Sequence, residues 1–131
     1  MNIEERKQYV LHRIGTAYTT LEAAMYLLDG GFVDSAVSRL YYAAFHAVTA
    51  LLTANQIQAK THAAIKSQFA LHFIKTGMLD PKFSKLLSEL FDNRQKGDYG
   101  DVTSFDGETV RTYFEPLREM IEQIELKIKA G

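Results

Sequence analysis

The chain has 131 residues, enough for one domain, with 47% hydrophobic and 24% charged residues as in an ordinary globular protein. It has no cysteine, which excludes a disulfide scaffold, a Cys-ligated zinc site and thiol chemistry. The net charge of −1 hides an asymmetry: residues 1–34 carry five acids and three bases and residues 80–131 eleven acids and eight bases, whereas no acid occurs between Asp34 and Asp80. That middle stretch holds Arg39, Lys60, Lys66 and Lys75 with His46, His62 and His72, a local excess suited either to a solvated face or to gathering anions. No run approaches the ~20 apolar residues of a membrane span. The opening Met1–Lys7 lacks the apolar core of a signal peptide, so a cytoplasmic protein without membrane association is expected.

Apolar residues recur every three or four positions, which predicts helices throughout. The first runs from about Ile3 to Leu28, with Val10, Ile14, Ala17, Leu21, Met25 and Leu28 on one face, and Asp29-Gly30-Gly31 stops it. A second, from an N-cap at Asp34 to about Ala54, is apolar on more than one side and belongs at the centre of a bundle. A third opens at Thr61 and closes at Gly77. A fourth starts at Asp80-Pro81, with Phe83, Leu87, Leu90 and Arg94 on one face. The polar, glycine-containing stretch Gln95–Gly107 reads as a loop. A last helix spans about Gly107 to Lys129 with a stripe of Val110, Leu117, Ile121, Ile124 and Ile128. The expectation is a single all-α domain over residues 1–131, an up-and-down antiparallel four-helix bundle with an additional short helix. The last three isoleucines either cover that bundle or meet a second copy.

Three groups of residues carry candidate chemistry. Ser35, Arg39, Tyr42, His46, Thr49 and Thr53 are spaced 4, 3, 4, 3, 4, so they form one polar stripe along the apolar second helix. An inward Arg39 needs a carboxylate such as Asp98, a phosphate or water. Lys60-Thr61-His62 opens the third helix, where free N–H groups and the helix dipole favour an anion; it equally suits a plain capped start. Arg94, Asp98 and Tyr99 follow the apolar face of the fourth helix, either as a phosphate grip or as an ion pair closing the bundle. Gly-x-Ser-x-Gly, His-Glu-x-x-His and Gly-x-x-x-x-Gly-Lys patterns are all absent, and nothing in the sequence specifies a metal or cofactor.

Ser38-Arg39-Leu40-Tyr41-Tyr42-Ala43-Ala44-Phe45-His46-Ala47 resembles the second-helix signature of small HEPN proteins. Thr61-His62, Phe73-Ile74-Lys75-Thr76-Gly77, and Arg94 with Gly97-Asp98-Tyr99 follow in the family's order, so the likeness covers about residues 34–100. It implies a HEPN-like four-helix core, a homodimer, and pairing with a minimal nucleotidyltransferase encoded nearby in a toxin–antitoxin-like system. Active members of the family cut RNA without a metal, using an Arg followed after four to six residues by His. Here Arg94 is present, but Tyr99 stands where the earliest such His would be, and no histidine follows His72. Metal-free cleavage needs a proton acceptor for the 2′-hydroxyl and a donor for the leaving oxygen, roles that suit His and not an ordinary Tyr near pH 7.

The first expectation is therefore a module that binds nucleotide or RNA phosphate through Arg39, Tyr42, His46, Lys60, His62 and Arg94, lacking the usual catalytic His. The alternative is a metal-independent endoribonuclease toxin with a displaced site, in which Arg94 contacts the phosphate and Asp98, Tyr99 or His62 handles protons. A third role for Tyr99, as acceptor of a nucleotidyl group from the partner enzyme, is also implied by the resemblance.

Overall fold

The computed structural model describes residues 1–99 and 105–131, with Asp98 and Tyr99 as backbone only. No strand occurs among the described residues. Four long helices dominate: α1 (Ile3–Asp29), α2 (Val33–Ala54), α4 (Pro81–Tyr99) and α6 (Phe114–Ala130). The short α3 (His62–Phe69) and α5 (Gly107–Arg111) lie between them. This is the all-helical bundle expected from the periodicity, with α2 in contact with α1, α3, α4, α5 and α6.

Residues Ala36, Ala43, Ala44, Ala47 and Ala50 of α2 are fully buried. Small side chains on several sides of one helix let its neighbours approach closely, which is why α2 can occupy the centre. The buried residues form one hydrophobic cluster drawn from every helix. Ile121 and Ile124 are fully covered within it, so these two serve the chain's own core, while Ile128 is only partly buried. The Tyr18 hydroxyl donates to Glu125 Oε1 at 2.9 Å and ties α1 to α6.

The helix ends follow from local chemistry. Asn2 and Glu5 form a capping box at the start of α1. At its end Gly31 takes φ +87°, the left-handed region that glycine enters without strain. Gly31 N–H then donates to the Leu28 carbonyl and Phe32 N–H to the Leu27 carbonyl, satisfying groups the helix leaves over. The same pair of bonds closes α2, with Gln56 N–H on Thr53 and Ile57 N–H on Leu52. Thr61 caps α3 by accepting from Ala64 N–H at 3.0 Å, as its position predicts.

Four boundaries differ from the sequence reading. Phe32, not Asp34, is the N-cap of α2; Asp34 lies in the first turn, where its carboxylate still faces the positive end of the helix dipole. The third helix changes pitch at Ala70–Ile74, a π-helical turn in which Lys75 N–H reaches back to the Ala70 carbonyl. The fourth continues through Gln95–Tyr99, read from sequence as loop, so Arg94 and Asp98 share one helix. The last helix breaks at Thr112–Tyr113, because Pro116 has no N–H to bond the Thr112 carbonyl one turn earlier.

Candidate functional site

Tyr41, Tyr42 and Phe45 stand in one stretch of α2, so their rings spread around its outer side and α3 and α4 close over them. The Tyr41 ring lies 5.5 Å from those of His62 and Phe91 and 5.4 Å from Tyr42, while Phe45 lies 5.2 Å from His62. Centroid separations in this range are those of favourable tilted and edge-to-face aromatic pairs. The Thr61 cap fixes the first turn of α3 and with it the position of His62. There the Tyr41 hydroxyl and His62 Nδ1 share a hydrogen bond of 2.5 Å.

Two guanidinium groups converge on this cluster. Arg39 Cζ lies 4.9 Å from the Tyr42 ring centre. Arg94 Cζ, from α4, lies 5.1 Å from the same ring and 5.7 Å from that of Tyr41. A ring quadrupole attracts each cation by roughly 0.5–2 kcal/mol, which positions them without neutralising them. Arg39 has no ion pair among the described residues, and the Asp98 carboxylate expected as its partner falls outside them. The side chains of Asp98 and Tyr99 lie outside the described residues, as does Gly100.

The electrostatics follow from burial and these cations. Burial, with Arg94 adding to it, lowers the His62 pKa. Burial pushes the Tyr41 hydroxyl up to about 12, although Arg94 pulls the other way. Near pH 7 the pair is therefore a neutral imidazole against a protonated phenol. A hydroxyl donating to Nδ1 places the ring hydrogen on Nε2.

His46 lies on the other side of Phe45 and meets a residue that sequence reading missed. Arg13 Nη1 donates to His46 Nδ1 at 2.9 Å. Arginine offers only donors, so Nδ1 must be the lone-pair nitrogen and the tautomer is fixed. The His46 pKa is lowered by burial first, then by Arg13, Arg39 and His12. Arg13 Cζ also lies 5.5 Å from the Tyr9 ring and 5.7 Å from Phe45. The sequence signal for Arg13 was faint: one basic residue beside the buried positions Val10 and Ile14. Phe91 likewise reads only as another apolar residue of α4.

The predicted residues thus fall into two groups. Arg39, Tyr42, His62 and Arg94 come together around Tyr41. Lys60 lines a different hollow, beside Arg13, and His46 joins that side through its bond to Arg13. Among the described residues no three His, Asp or Glu side chains stand together as metal ligands. No helix among them is long and apolar enough to cross a membrane.

The comparison with known families now bears on these residues. A model of the HEPN domain matches residues 10–127. The chain belongs to the HEPN family. Over 127 residues it is 30% identical to a UPF0332 protein of Thermotoga maritima, spanning 97% of this chain and 96% of that relative. Two Methanocaldococcus jannaschii proteins that carry the name "Putative toxin" are 41% and 33% identical to it over 86 residues each. Those alignments cover 66% of this chain and 58% and 64% of theirs. The matched span takes in Arg13, the aromatic residues of α2, His62 and Arg94, so the basic aromatic cluster lies inside the HEPN domain.

Proposed function

We propose that this HEPN protein binds the phosphate of a nucleotide or RNA at the Arg39–Arg94 cluster and is the toxin-like half of a pair with a minimal nucleotidyltransferase. It acts in the cytoplasm as a homodimer. The observation that carries this reading is the convergence of two guanidinium groups on the ring of Tyr42. Such a pair attracts a phosphate, and the ring faces beside it suit a base. His62 adds an imidazole that donates from Nε2 when its Nδ1 accepts from Tyr41. The names of the archaeal relatives support the toxin-like role. Fluorescence anisotropy with labelled single-stranded RNA and with ATP tests it. Arg39→Ala and Arg94→Ala should each weaken binding by about tenfold or more, as expected for charge-assisted contacts. Equal binding by wild type and both variants, or no binding by any, would refute it.

A second reading has its own observation. His62 is bonded to Tyr41, whose ring lies under Arg94, so an imidazole from α3 stands near the arginine that lacks its usual histidine in α4. In a metal-independent cleavage the other tautomer of His62 would act: with Nδ1–H donating to the Tyr41 oxygen, its free Nε2 would take the 2′-hydroxyl proton as the oxygen attacks phosphorus. Arg94 would stabilise the pentavalent phosphate, and an acid would protonate the departing 5′-oxygen. A neutral His62 suits the first step. RNA cleavage in EDTA, lost in both Arg94→Ala and His62→Ala, would favour this endoribonuclease; cleavage unaffected by either, or absent from wild type, would eliminate it.

A further inference from the structure

A second hollow, an open groove of about 820 Å3, lies between α1 and the α2–α3 connection. Arg6 and Arg13 enter it from α1, Phe45 and Thr49 from α2, and Lys60 from the connection; none of its lining residues is acidic. None of the three cations has an ion pair among the described residues. Elsewhere on the surface bases do find acids, as with Lys82–Glu119 and Arg111–Asp29. The groove therefore keeps a positive charge that no described carboxylate cancels.

Its floor holds unspent hydrogen-bonding capacity. Arg13 Nε and Thr49 Oγ1 are buried without a partner among the described residues. A helical threonine ordinarily turns its hydroxyl back to a carbonyl of the preceding turn, and Thr49 does not. The one polar bond of Arg13 goes to a neutral imidazole, which orients the guanidinium and leaves its charge intact. A part-buried guanidinium fixed by His46, Tyr9 and Phe45 is preorganised, so little freedom remains to be lost when a ligand arrives.

We propose that this groove is a phosphate-binding site in its own right, anchored by Arg13 with Arg6 and Lys60 closing on the anion. The phosphate is that of a free nucleotide or of an RNA backbone. The groove shares no phosphate-binding residue with the Arg39–Arg94 cluster, so it stands whether or not that cluster binds. An anion placed against Arg13 also offsets one of the charges that disfavour protonation of His46, which makes the His46 ring a reporter of occupancy.

The test is an NMR titration of the isotopically labelled full-length protein with inorganic phosphate, AMP, ATP and a short single-stranded RNA. Saturable shifts of the Arg13 and Thr49 signals and an upward move of the His46 titration midpoint are expected. They should persist in Arg94→Ala, whereas failure at the Arg39–Arg94 cluster would silence only that cluster's signals. Arg13→Met, which keeps the aliphatic stem, should weaken groove binding about tenfold or more. Exposed Lys60→Ala should weaken it a few-fold, and it reports even if Arg13→Met fails to fold. Saturation by AMP or ATP at concentrations no higher than RNA identifies a free nucleotide, and tighter, salt-steep binding of RNA identifies the backbone. Silence of the groove signals to all four probes would overturn the proposal. So would wild-type affinity in Lys60→Ala together with a folded Arg13→Met, or closure of the groove by self-association.

Discussion

Replacing Tyr41 by Phe isolates the bond that orients His62. Tyr41 is 3% exposed and its ring packs against Tyr42, His62 and Phe91, so Phe keeps the packing and deletes only the hydroxyl. A net hydrogen bond contributes about 1 kcal/mol, and a partner left unsatisfied adds a further cost. His62 is only half-buried, so water reaches its ring and the added cost stays small. The total is about 1.5 kcal/mol. With an unfolding entropy near 2.1 cal/mol/K per residue, the 131-residue chain should lose ~5 °C in Tm. Differential scanning calorimetry of wild type, Tyr41→Phe, His62→Phe and the double variant measures it. Tyr41→Phe should cost much less in the His62→Phe background. An equal loss in both backgrounds, or a shift under ~1 °C in the wild-type background, would refute the view that this bond fixes the imidazole.

Three further outcomes follow from the structure. His46 and His62 both have folded pKa values below their unfolded value near 6.5, so below that pH the unfolded chain binds more protons; stability is full above it and falls as the solution is acidified through the depressed values. Thermal melts from pH 7.5 to 5.5 should show Tm falling, with a shallower fall in His46→Gln and His62→Gln. Thr61→Ala removes the cap of α3 and should cost about 1 kcal/mol in urea denaturation, with Thr61→Ser restoring most of it. Ala44→Leu pushes a larger side chain into the fully buried side of α2 and should cost about 1–3 kcal/mol or more, read as a lower urea midpoint with unchanged slope.

Period-3.6 patterning placed α1, α2 and the core correctly, because burial repeats along a helix and leaves its mark on composition. Gly31, Thr61 and Pro81 were legible for the same local reason: each satisfies a requirement of a helix end. Pro116 was overlooked as a break because the apolar stripe runs through it, and Gln95–Tyr99 was misread because polar residues and a glycine say loop even where a helix persists. The π-helical turn depends on how α3 meets its neighbours and has no pattern of its own. The cluster was half visible. Arg39, Tyr42, His62 and Arg94 stand out as polar or basic residues at inward spacings. Their meeting around Tyr41, and the pairing of His46 with Arg13, join residues 21 and 33 positions apart, and periodicity carries no such long-range information.

The arginines held by rings rather than by carboxylates also tie the folding equilibrium to the solvent. Arg13 and Arg39 fold with their charges uncancelled, and any anion that docks on them binds the native chain and not the unfolded one. By mass action such an anion at a hundred times its dissociation constant adds ~2.7 kcal/mol of stability. Spread over the unfolding entropy of this chain, that is ~10 °C. The melting temperature should then be a property of the buffer as much as of the sequence, low in chloride and higher in phosphate or sulfate.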